Sequence, residues 1–320
     1  MLAIVEITPW HWAGFLVLIL FLLALDLGVF HREAREISCK EALAWTTVWF
    51  TLAMIFASCL VPLRGEEEAL EFITGYIIEL SLSMDNVFVI ALIFGYFRIP
   101  PKYQHRVLFW GILGALVMRG IMIVAGAELV EMFKGTLVVF GLFLIVSGFK
   151  MLGADEDGVE PEKNPFIRFA KKRFSVTDKL CGQSFIAMVE GKKVLTPLAL
   201  VLIMVETTDL IFAVDSIPAI FGVTQKKFII FTSNVFAILG LRSLYFALAG
   251  VMQIFRYLKY GLCLVLVFIG VKMVIMHWFK ISTEVSLCAV GVILLTSVGL
   301  SIRASRKDTE QDPPAPEEAA

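Results

Sequence analysis

Long apolar runs alternate with short polar segments along almost the whole chain. Because a helix crosses a bilayer in about 20 predominantly apolar residues, these runs predict nine transmembrane helices, at 11–30, 41–63, 70–97, 105–126, 130–151, 195–222, 228–250, 257–277 and 284–302. The third and sixth runs are long, so we expect each of these helices to tilt or to break. The runs are continuous rather than alternating, which disfavours a β-barrel. The pattern therefore predicts an all-α polytopic membrane protein.

Composition excludes several other classes of protein. Of the 320 residues, 58% are hydrophobic and 18% are charged, whereas soluble domains are about 45–50% apolar and about 25% charged. The formal net charge of −1 provides no basic field, so we expect no nucleic-acid partner. The five cysteines form no CxxC pair and are odd in number, which argues against a disulfide framework.

Lysine and arginine are unevenly divided between the two sides of the predicted bundle. With the N-terminus outside, the cytoplasmic segments hold 19 of these residues and the outer segments hold 5. The positive-inside rule therefore predicts an outer N-terminus and a cytoplasmic C-terminus. We interpret 1–302 as one transmembrane domain with a cytoplasmic loop at 153–194, followed by a disordered cytoplasmic tail at 303–320. The loop is interpreted as a connector, with a regulatory role as the alternative.

An internal repeat relates two parts of the chain. The segment SMDNVFVI at 83–90 aligns with TTDLIFAV at 207–214. Three pairs keep almost the same spacing after this alignment, namely Asp85 with Asp209, Arg119 with Arg242, and Lys150 with Lys272. Each copy spans three helices (spans 3–5, about 70–152, and spans 6–8, about 195–277), and three is an odd number. The second copy therefore enters the membrane from the opposite side, which predicts an inverted three-plus-three repeat of the kind found in secondary transporters.

Carboxylates occur inside the predicted spans, where they are costly. They are Asp26, Glu79, Asp85, Glu206, Asp209 and Asp215. Each costs about 2.5–3.5 kcal/mol at the centre of a lipid-facing helix, so we expect all six to face the interior of the bundle. Asp85 and Asp209 lie near the middle of their spans, and inverted symmetry would bring them together at the membrane midplane. Pro218 removes a helix hydrogen bond and is expected to loosen the turn that holds Asp215.

The same two spans carry uncharged oxygen-bearing side chains, which are Ser81, Ser83, Asn86, Thr208 and Ser216. Carboxylate, hydroxyl and amide oxygens are the ligands of hard divalent cations such as Mg²⁺, Ca²⁺ and Mn²⁺. The four histidines all lie at span ends, which disfavours a Zn²⁺ or Cu²⁺ site at the midplane. Met84 lies beside Asp85, where a thioether would favour Mn²⁺ over Mg²⁺; ordinary packing is the alternative interpretation.

Arg119 and Arg242 occupy equivalent places in the two copies of the repeat. The six carboxylates and two guanidinium groups leave a formal charge of −4, which one divalent ion would reduce to −2. Protonation could remove the remainder, so the charge pattern allows cation–proton exchange. In the alternative interpretation, the two arginines only join the helices by pairing with buried acids.

Three motifs resemble the TerC/Alx family of bacterial inner-membrane proteins, within the LysE transporter superfamily. They are ALDLGVFHR at 24–32, ELSLSMDNVFV at 79–89 and DLIFAVDSIPAI at 209–220, and the resemblance extends from about residue 10 to about residue 300. It implies an inner-membrane exporter of Mn²⁺ that is linked to tellurium resistance and to alkaline or metal stress. Members have also been called redox modulators, a role for which the cysteine pattern gives no support. Position by position, the family motifs place the metal site on Glu79, Asp85, Asn86, Glu206, Asp209, Asp215 and Ser216, with Asp26 in the first-span motif.

Three hypotheses about function follow. The first is a transporter that exports Mn²⁺ by alternating access in exchange for protons, with the metal ion, protons and the lipid bilayer as its partners and no prosthetic group. Here Asp85 and Asp209 would bind the ion directly. The second is a membrane sensor or scaffold without transport, acting through 153–194. The third is a membrane enzyme, which we rank last because the sequence contains no HExxH motif and no nucleophile paired with a histidine.

Overall fold

The computed structural model describes residues 7–25, 38–133, 135–153, 164–177, 179–189, 191–248, 257–276 and 278–311. These ranges contain helices and one small antiparallel hairpin. In chain order the elements are α1 (Pro9–Leu25), α2 (Cys39–Arg64), α3 (Glu66–Tyr96), α4 (Pro101–Met132), α5 (Thr136–Gly153), α6 (Pro165–Arg173), β1 (Ile186–Val189), β2 (Lys192–Leu195), α7 (Pro197–Phe221), α8 (Lys227–Leu248), α9 (Leu258–Ile275) and α10 (Thr283–Gln311).

Within the described part of the chain, eight helices are long and apolar enough to cross a membrane: α2 to α5 and α7 to α10. They match eight of the nine predicted spans. The remaining prediction, 11–30, falls on α1, a shorter apolar helix of 17 residues. The structure is therefore an all-α polytopic membrane fold, but it does not confirm nine spans. Asp26 lies outside the described residues.

Several predicted boundaries are wrong. The sequence predicted that residues 127–129 separate two membrane spans, but α4 continues through them to Met132. The polar end of α4 is stabilised by ion pairs of Glu128 and Glu131 with Lys227. The tail was predicted to be disordered from residue 303, but α10 continues to Gln311, because this polar segment is rich in residues that favour helix. Neither α3 nor α7 breaks, and α7 runs through Pro218 to Phe221. The expected break is therefore wrong for both helices, and the expected tilt stays a prediction.

Gly65 separates α2 from α3. Its φ of +95° lies in the left-handed region that favours glycine, so the chain can leave one helix and enter the next within a single residue. Three acidic residues, at 66–68, occupy the first turn of α3, where a helix N-terminus favours negative charge. Arg64 donates two hydrogen bonds to Glu68, at 2.7 and 2.8 Å, and these bonds tie the two helices together at the turn.

The centre of the bundle is formed by α3, α4, α7 and α8. In this group α3 and α4 each pack against both α7 and α8, and α2 covers α8 from the side. In the most apolar stretch of α8, 94% of the residues are buried, so α8 is enclosed by protein rather than by lipid. By contrast, α4 exposes Val117, Ile121 and Val124, as expected for a face that contacts acyl chains. The polar residues of α3 and α7 therefore face an interior that lipid does not reach.

Glycines bring α5 and α9 into close contact. A Cβ on Gly270 would lie 2.6 Å from the carbonyl oxygen of Gly141, and a Cβ on Gly148 would lie 3.0 Å from the carbonyl oxygen of Cys263. Small residues at such contacts allow two membrane helices to approach backbone to backbone. We call these four residues the glycine seam.

The hydrophilic stretch between α5 and α7 contains elements that the sequence analysis did not predict. Helix α6 packs against α7, and β1 pairs with β2 from Ile186 opposite Leu195 to Val189 opposite Lys192. Arg106 of α4 donates a hydrogen bond of 3.3 Å to Gln183 and lies over the ring of Phe185. These contacts attach the segment to the bundle, and its interpretation as a connector stays a prediction.

The glycine seam predicts the effect of adding one methyl group. Gly270→Ala should lower the free energy of unfolding by about 1–3 kcal/mol, because the new Cβ has no space beside the Gly141 carbonyl. Gly299→Ala on the exposed side of α10 is the matched control, since nothing lies within 4 Å of its added Cβ. The measurement is thermal unfolding of both purified variants in detergent. Equal melting temperatures for Gly270→Ala and the wild type would contradict the close contact.

Candidate functional site

Arg119 is the centre of a buried polar network that joins α3, α4 and α7. It lies on α4 and is only 2% exposed. Its guanidinium donates to Asp209 at 2.8 and 3.2 Å, to the hydroxyl of Ser216 at 3.3 Å, and to Glu79. One cation is therefore shared by two carboxylates from two different helices. Breaking a pair of this kind leaves an uncompensated buried charge, which is strongly destabilising.

Asn86 extends this network from α3 to α7. Its amide nitrogen donates a hydrogen bond of 2.9 Å to Asp209, the same carboxylate that accepts from Arg119. The amide oxygen of Asn86 is buried and has no hydrogen-bond partner among the described residues. The Ser83 hydroxyl, one turn earlier, is also buried without such a partner. Buried polar atoms normally find partners, so unsatisfied oxygens beside a carboxylate network are potential ligand positions.

Asn86 lines two small cavities. The larger, of about 30 Å³, is lined by Glu79, Asp85, Asn86, Arg119, Asp215 and Ser216 among other residues. The smaller, of about 10 Å³, is lined by Asn86, Asp209 and Arg242 together with apolar side chains. The larger volume is enough for a single water molecule or ion but not for an organic substrate. Six of the predicted site residues thus share one enclosed space.

Asp85 and Asp215 contribute carboxylates that do not contact Arg119. Asp85 lines the larger cavity and is attracted electrostatically by Lys259, near the start of α9. Asp215 accepts a hydrogen bond of 2.6 Å from Ser147 on α5. The larger cavity is therefore bordered by carboxylates that differ in how firmly they are held. Glu79 is held by Arg119, Asp215 by a neutral hydroxyl, and Asp85 by no hydrogen bond within the described chain.

Glu206 lies apart from the larger cavity. Its carboxylate rests against Gly114 of α4, in space that a Cβ on that residue would fill. It remains within the electrostatic influence of Asp209, one turn away on α7. Glu206 thus interacts with Asp209 electrostatically, and it is not among the residues that line either cavity.

Other predicted site residues have different roles. The hydroxyls of Ser81 and Thr208 donate to backbone carbonyls of their own helices, at 2.7 Å to Ile77 and 2.8 Å to Met204. Such bonds satisfy a hydroxyl locally within a helix, so both side chains are occupied. Arg242 is buried on α8 and lines the smaller cavity. Asp26 falls in a part of the chain that the structure does not describe.

The acids do not converge on one point in this conformation. Among the described residues, no three His, Cys, Asp or Glu side chains lie close enough together to hold a metal ion. The guanidinium of Arg119 lies between carboxylates that would otherwise be candidates for a shared ligand set. Sequence reasoning also missed three residues: Ser147, Gly114 and Lys259. Ser147 lies in the segment LIVSGFKM at 144–151, which aligns with LVFIGVKM at 266–273. No sequence pattern pointed to Gly114 or to Lys259.

The chain is similar to known membrane proteins. The model of the "Integral membrane protein TerC family" matches residues 64–310. This chain belongs to the TerC family. It is 48% identical over 309 residues to STKORF319, an uncharacterised membrane protein of Myxococcus xanthus, with 97% of each chain covered. It is also 46% identical over 301 residues to Alx of Escherichia coli K12, with 91% of this chain and 94% of the relative covered.

Alx of Salmonella typhi shows the same identity and coverage, and both Alx proteins are named as proposed membrane-bound redox modulators. No solved structure is significantly similar to this chain. The family and the apolar helices establish a multi-pass integral membrane protein.

The Arg119 network predicts a specific pattern of stability. Arg119→Met should destabilise the purified protein by about 3–5 kcal/mol, because two buried carboxylates lose their shared cation. Adding Glu79→Gln and Asp209→Asn to that variant should restore much of the loss, since the remaining groups are neutral. Arg303→Met, at an exposed arginine of α10, is the control. Thermal unfolding in detergent measures all of these variants, and a stable Arg119→Met protein would contradict this role for the network.

Proposed function

We propose that this protein is a secondary transporter that exports Mn²⁺ from the cytoplasm by alternating access, in exchange for protons. The observation that carries the proposal is the cavity bordered by Glu79, Asp85 and Asp215, in which Arg119 is the neighbouring cation. The oxygen-rich lining suits a hard divalent ion, which is the transported substrate rather than a resident cofactor. The proposal includes a bacterial inner-membrane location with a periplasmic N-terminus and a cytoplasmic C-terminus, as the distribution of lysine and arginine predicts.

An inverted repeat is part of the proposal, and the glycine seam supports it. Aligning 144–151 with 266–273 makes Gly148 equivalent to Gly270, and Gly141 equivalent to Cys263. The approach of Gly270 to the Gly141 carbonyl then corresponds to the approach of Gly148 to the Cys263 carbonyl. The packing of α3 on α8 likewise corresponds to that of α4 on α7. Such symmetry is the basis of alternating access in many transporters.

In the proposed mechanism, the substrate cation competes with Arg119. A divalent ion in the larger cavity would attract Glu79 and Asp85 more strongly than a single guanidinium charge does. Glu79 would then leave Arg119, while Asp209 would keep it through two hydrogen bonds. The neutral oxygens of Asn86 and Ser216 would complete the shell. Because the ion and Arg119 would compete for Glu79, ion binding and rearrangement between α3 and α4 would be coupled.

Protons provide the return step in this proposal. Once the ion has left, the cavity again contains several carboxylates and one guanidinium, so its formal charge is negative. Charge in an enclosed apolar bundle is costly. Proton uptake by Asp85, which lines the cavity, or by Glu206, which lies outside the cavity near Asp209, would reduce that cost. Neither of these side chains has a described salt-bridge partner. The return of the empty carrier would therefore carry protons in the direction opposite to the metal ion.

Asp85 provides the sharpest test of transport. Asp85→Asn should reduce Mn²⁺ uptake into inside-out proteoliposomes, driven by an imposed pH gradient, by about tenfold or more, which corresponds to about 1.4 kcal/mol. Asp85 is preferable to Asp209 for this purpose, because Asp209→Asn also disrupts the hydrogen bonds with Arg119. Glu131→Gln is the matched control, since it removes an exposed carboxylate at the end of α4.

Both variants must first show the wild-type melting temperature and a monodisperse elution profile. If gradient-driven uptake by Asp85→Asn then equals that of the wild type, Asp85 does not bind the transported ion. Uptake that is lost equally in Glu131→Gln would show that the effect is not specific to the cavity.

A redox role is the second candidate, favoured by the name that the Alx relatives carry. All five cysteines are free; Cys39, Cys59 and Cys288 are exposed, Cys181 is half-buried and Cys263 is buried. A modulator that acts through its own thiols would use the four cysteines other than Cys263, because the reactivity of a thiol requires access.

Replacing these four cysteines by serine separates the two candidates. We expect gradient-driven Mn²⁺ uptake to be unchanged in the quadruple variant, under reducing and under oxidising conditions alike. Cys263 is retained so that the core stays packed. Uptake that depends on the redox state in the wild type, and loses that dependence in the variant, would instead support thiol-based modulation.

A further inference from the structure

Helix α6 lies beside the first turns of α7. Ile167 and Ala170 are 1% and 4% exposed, and they form the face of α6 that packs against α7. Asn164 caps α6 through bonds to its first amides, and its side-chain nitrogen lies 3.2 Å from the sulfur of Met204. Met204 is seven residues after Pro197, which is about 10 Å along a helix. Helix α6 is therefore level with the membrane interface rather than beyond it.

The opposite side of α6 combines aromatic and basic side chains. Phe166 and Phe169 are 53% and 66% exposed, and Phe174 follows the last turn at 52%. Four basic residues are also exposed: Arg168, Lys171, Lys172 and Arg173. None of these four forms an ion pair with a described residue. The exposed surface thus carries large apolar rings and four positive charges within nine residues, and no described acidic residue pairs with them.

From these contacts we infer that α6 binds anionic phospholipid headgroups of the adjacent leaflet. Helices that lie in a membrane interface insert aromatic side chains below the headgroups and direct Lys and Arg towards them. Each basic residue near an anionic surface adds to the attraction. The depth of α6 beside α7 favours lipid over a soluble protein, since a soluble partner would have to displace lipid to reach Phe166 and Phe169. This inference does not depend on the transport proposal.

The neighbouring hairpin limits where the lipid contact can lie. It is held to α4 through Arg106, Gln183 and Phe185. The end of α6 and the start of α7 are also joined across it, because the backbone of Leu195 donates to the carbonyl of Ser175 at 2.8 Å. Since α6 packs against α7 and the segment that follows it is held to α4, its headgroup-binding face has a set orientation.

Hydrogen–deuterium exchange of the full-length protein in nanodiscs tests this inference. In discs that contain phosphatidylglycerol, amide exchange in 165–173 should be about tenfold slower or more than in discs of pure phosphatidylcholine at low salt. High salt should remove most of the difference, because it screens the attraction. Adding glycerol phosphate to phosphatidylcholine discs should have no effect, which separates lipid from a soluble phosphate.

Substitutions of basic residues show which side chains cause the difference in exchange between the two lipids. Lys171→Gln, Lys172→Gln and Arg173→Gln together should remove the difference between the two lipids. The matched control removes three exposed basic residues elsewhere: Arg98→Gln, Lys102→Gln and Arg303→Gln. It should keep the difference. Phe166→Ser with Phe169→Ser should speed exchange in both kinds of disc, because ring insertion does not require anionic lipid.

Equal amide exchange of 165–173 in the two lipids, for a wild-type protein that thermal unfolding shows to be folded, would overturn the inference. So would a lipid effect that the control set removes as completely as the α6 set does. Slowing that occurs only when a cytosolic protein fraction is added would assign the surface to a protein partner instead.

Discussion

The bundle depends on one cation buried between two helices that each supply a carboxylate. Arg119 holds Glu79 of α3 and Asp209 of α7, and Asn86 adds a neutral hydrogen bond to the same aspartate. An isolated charge of either sign is costly inside a membrane, so each charged residue of the network offsets the free-energy cost of burying the others. The packing of α3, α4 and α7 is consequently inseparable from their electrostatics. The structural role and the proposed role in cation handling therefore rest on the same contact.

Symmetry and its absence are both informative at this site. Asp85 corresponds to Asp209 in the aligned segments, yet the two are held differently, since only Asp209 accepts hydrogen bonds from Arg119. Glu79 and Asp215 have no acidic counterparts in the other segment. A purely symmetric bundle would have two equivalent half-sites. Here the unmatched acids border the larger cavity, and the smaller cavity contains Asp209 and Arg242 among mainly apolar side chains.

Much of this could be read from the sequence, because the relevant signals are local. Long apolar runs gave eight of the membrane helices, and the cost of charge in lipid singled out Glu79, Asp209 and Arg119 in advance. What could not be read was the rotation of each helix against its neighbours, which places Glu206 on Gly114 rather than in the larger cavity. Helix α6 was missed because nine residues with four charges resemble a solvated loop until α7 is known to lie beneath them.

The glycine seam has a mechanical consequence. Where α5 meets α9, the backbone carbonyls of Gly141 and Cys263 and the side chains of Ile145 and Val267 occupy the space that a Cβ on Gly270 or Gly148 would need. A shift of one residue along the axis would replace each glycine by a bulkier neighbour such as Phe149 or Val271. The close contact therefore resists sliding of α5 along α9.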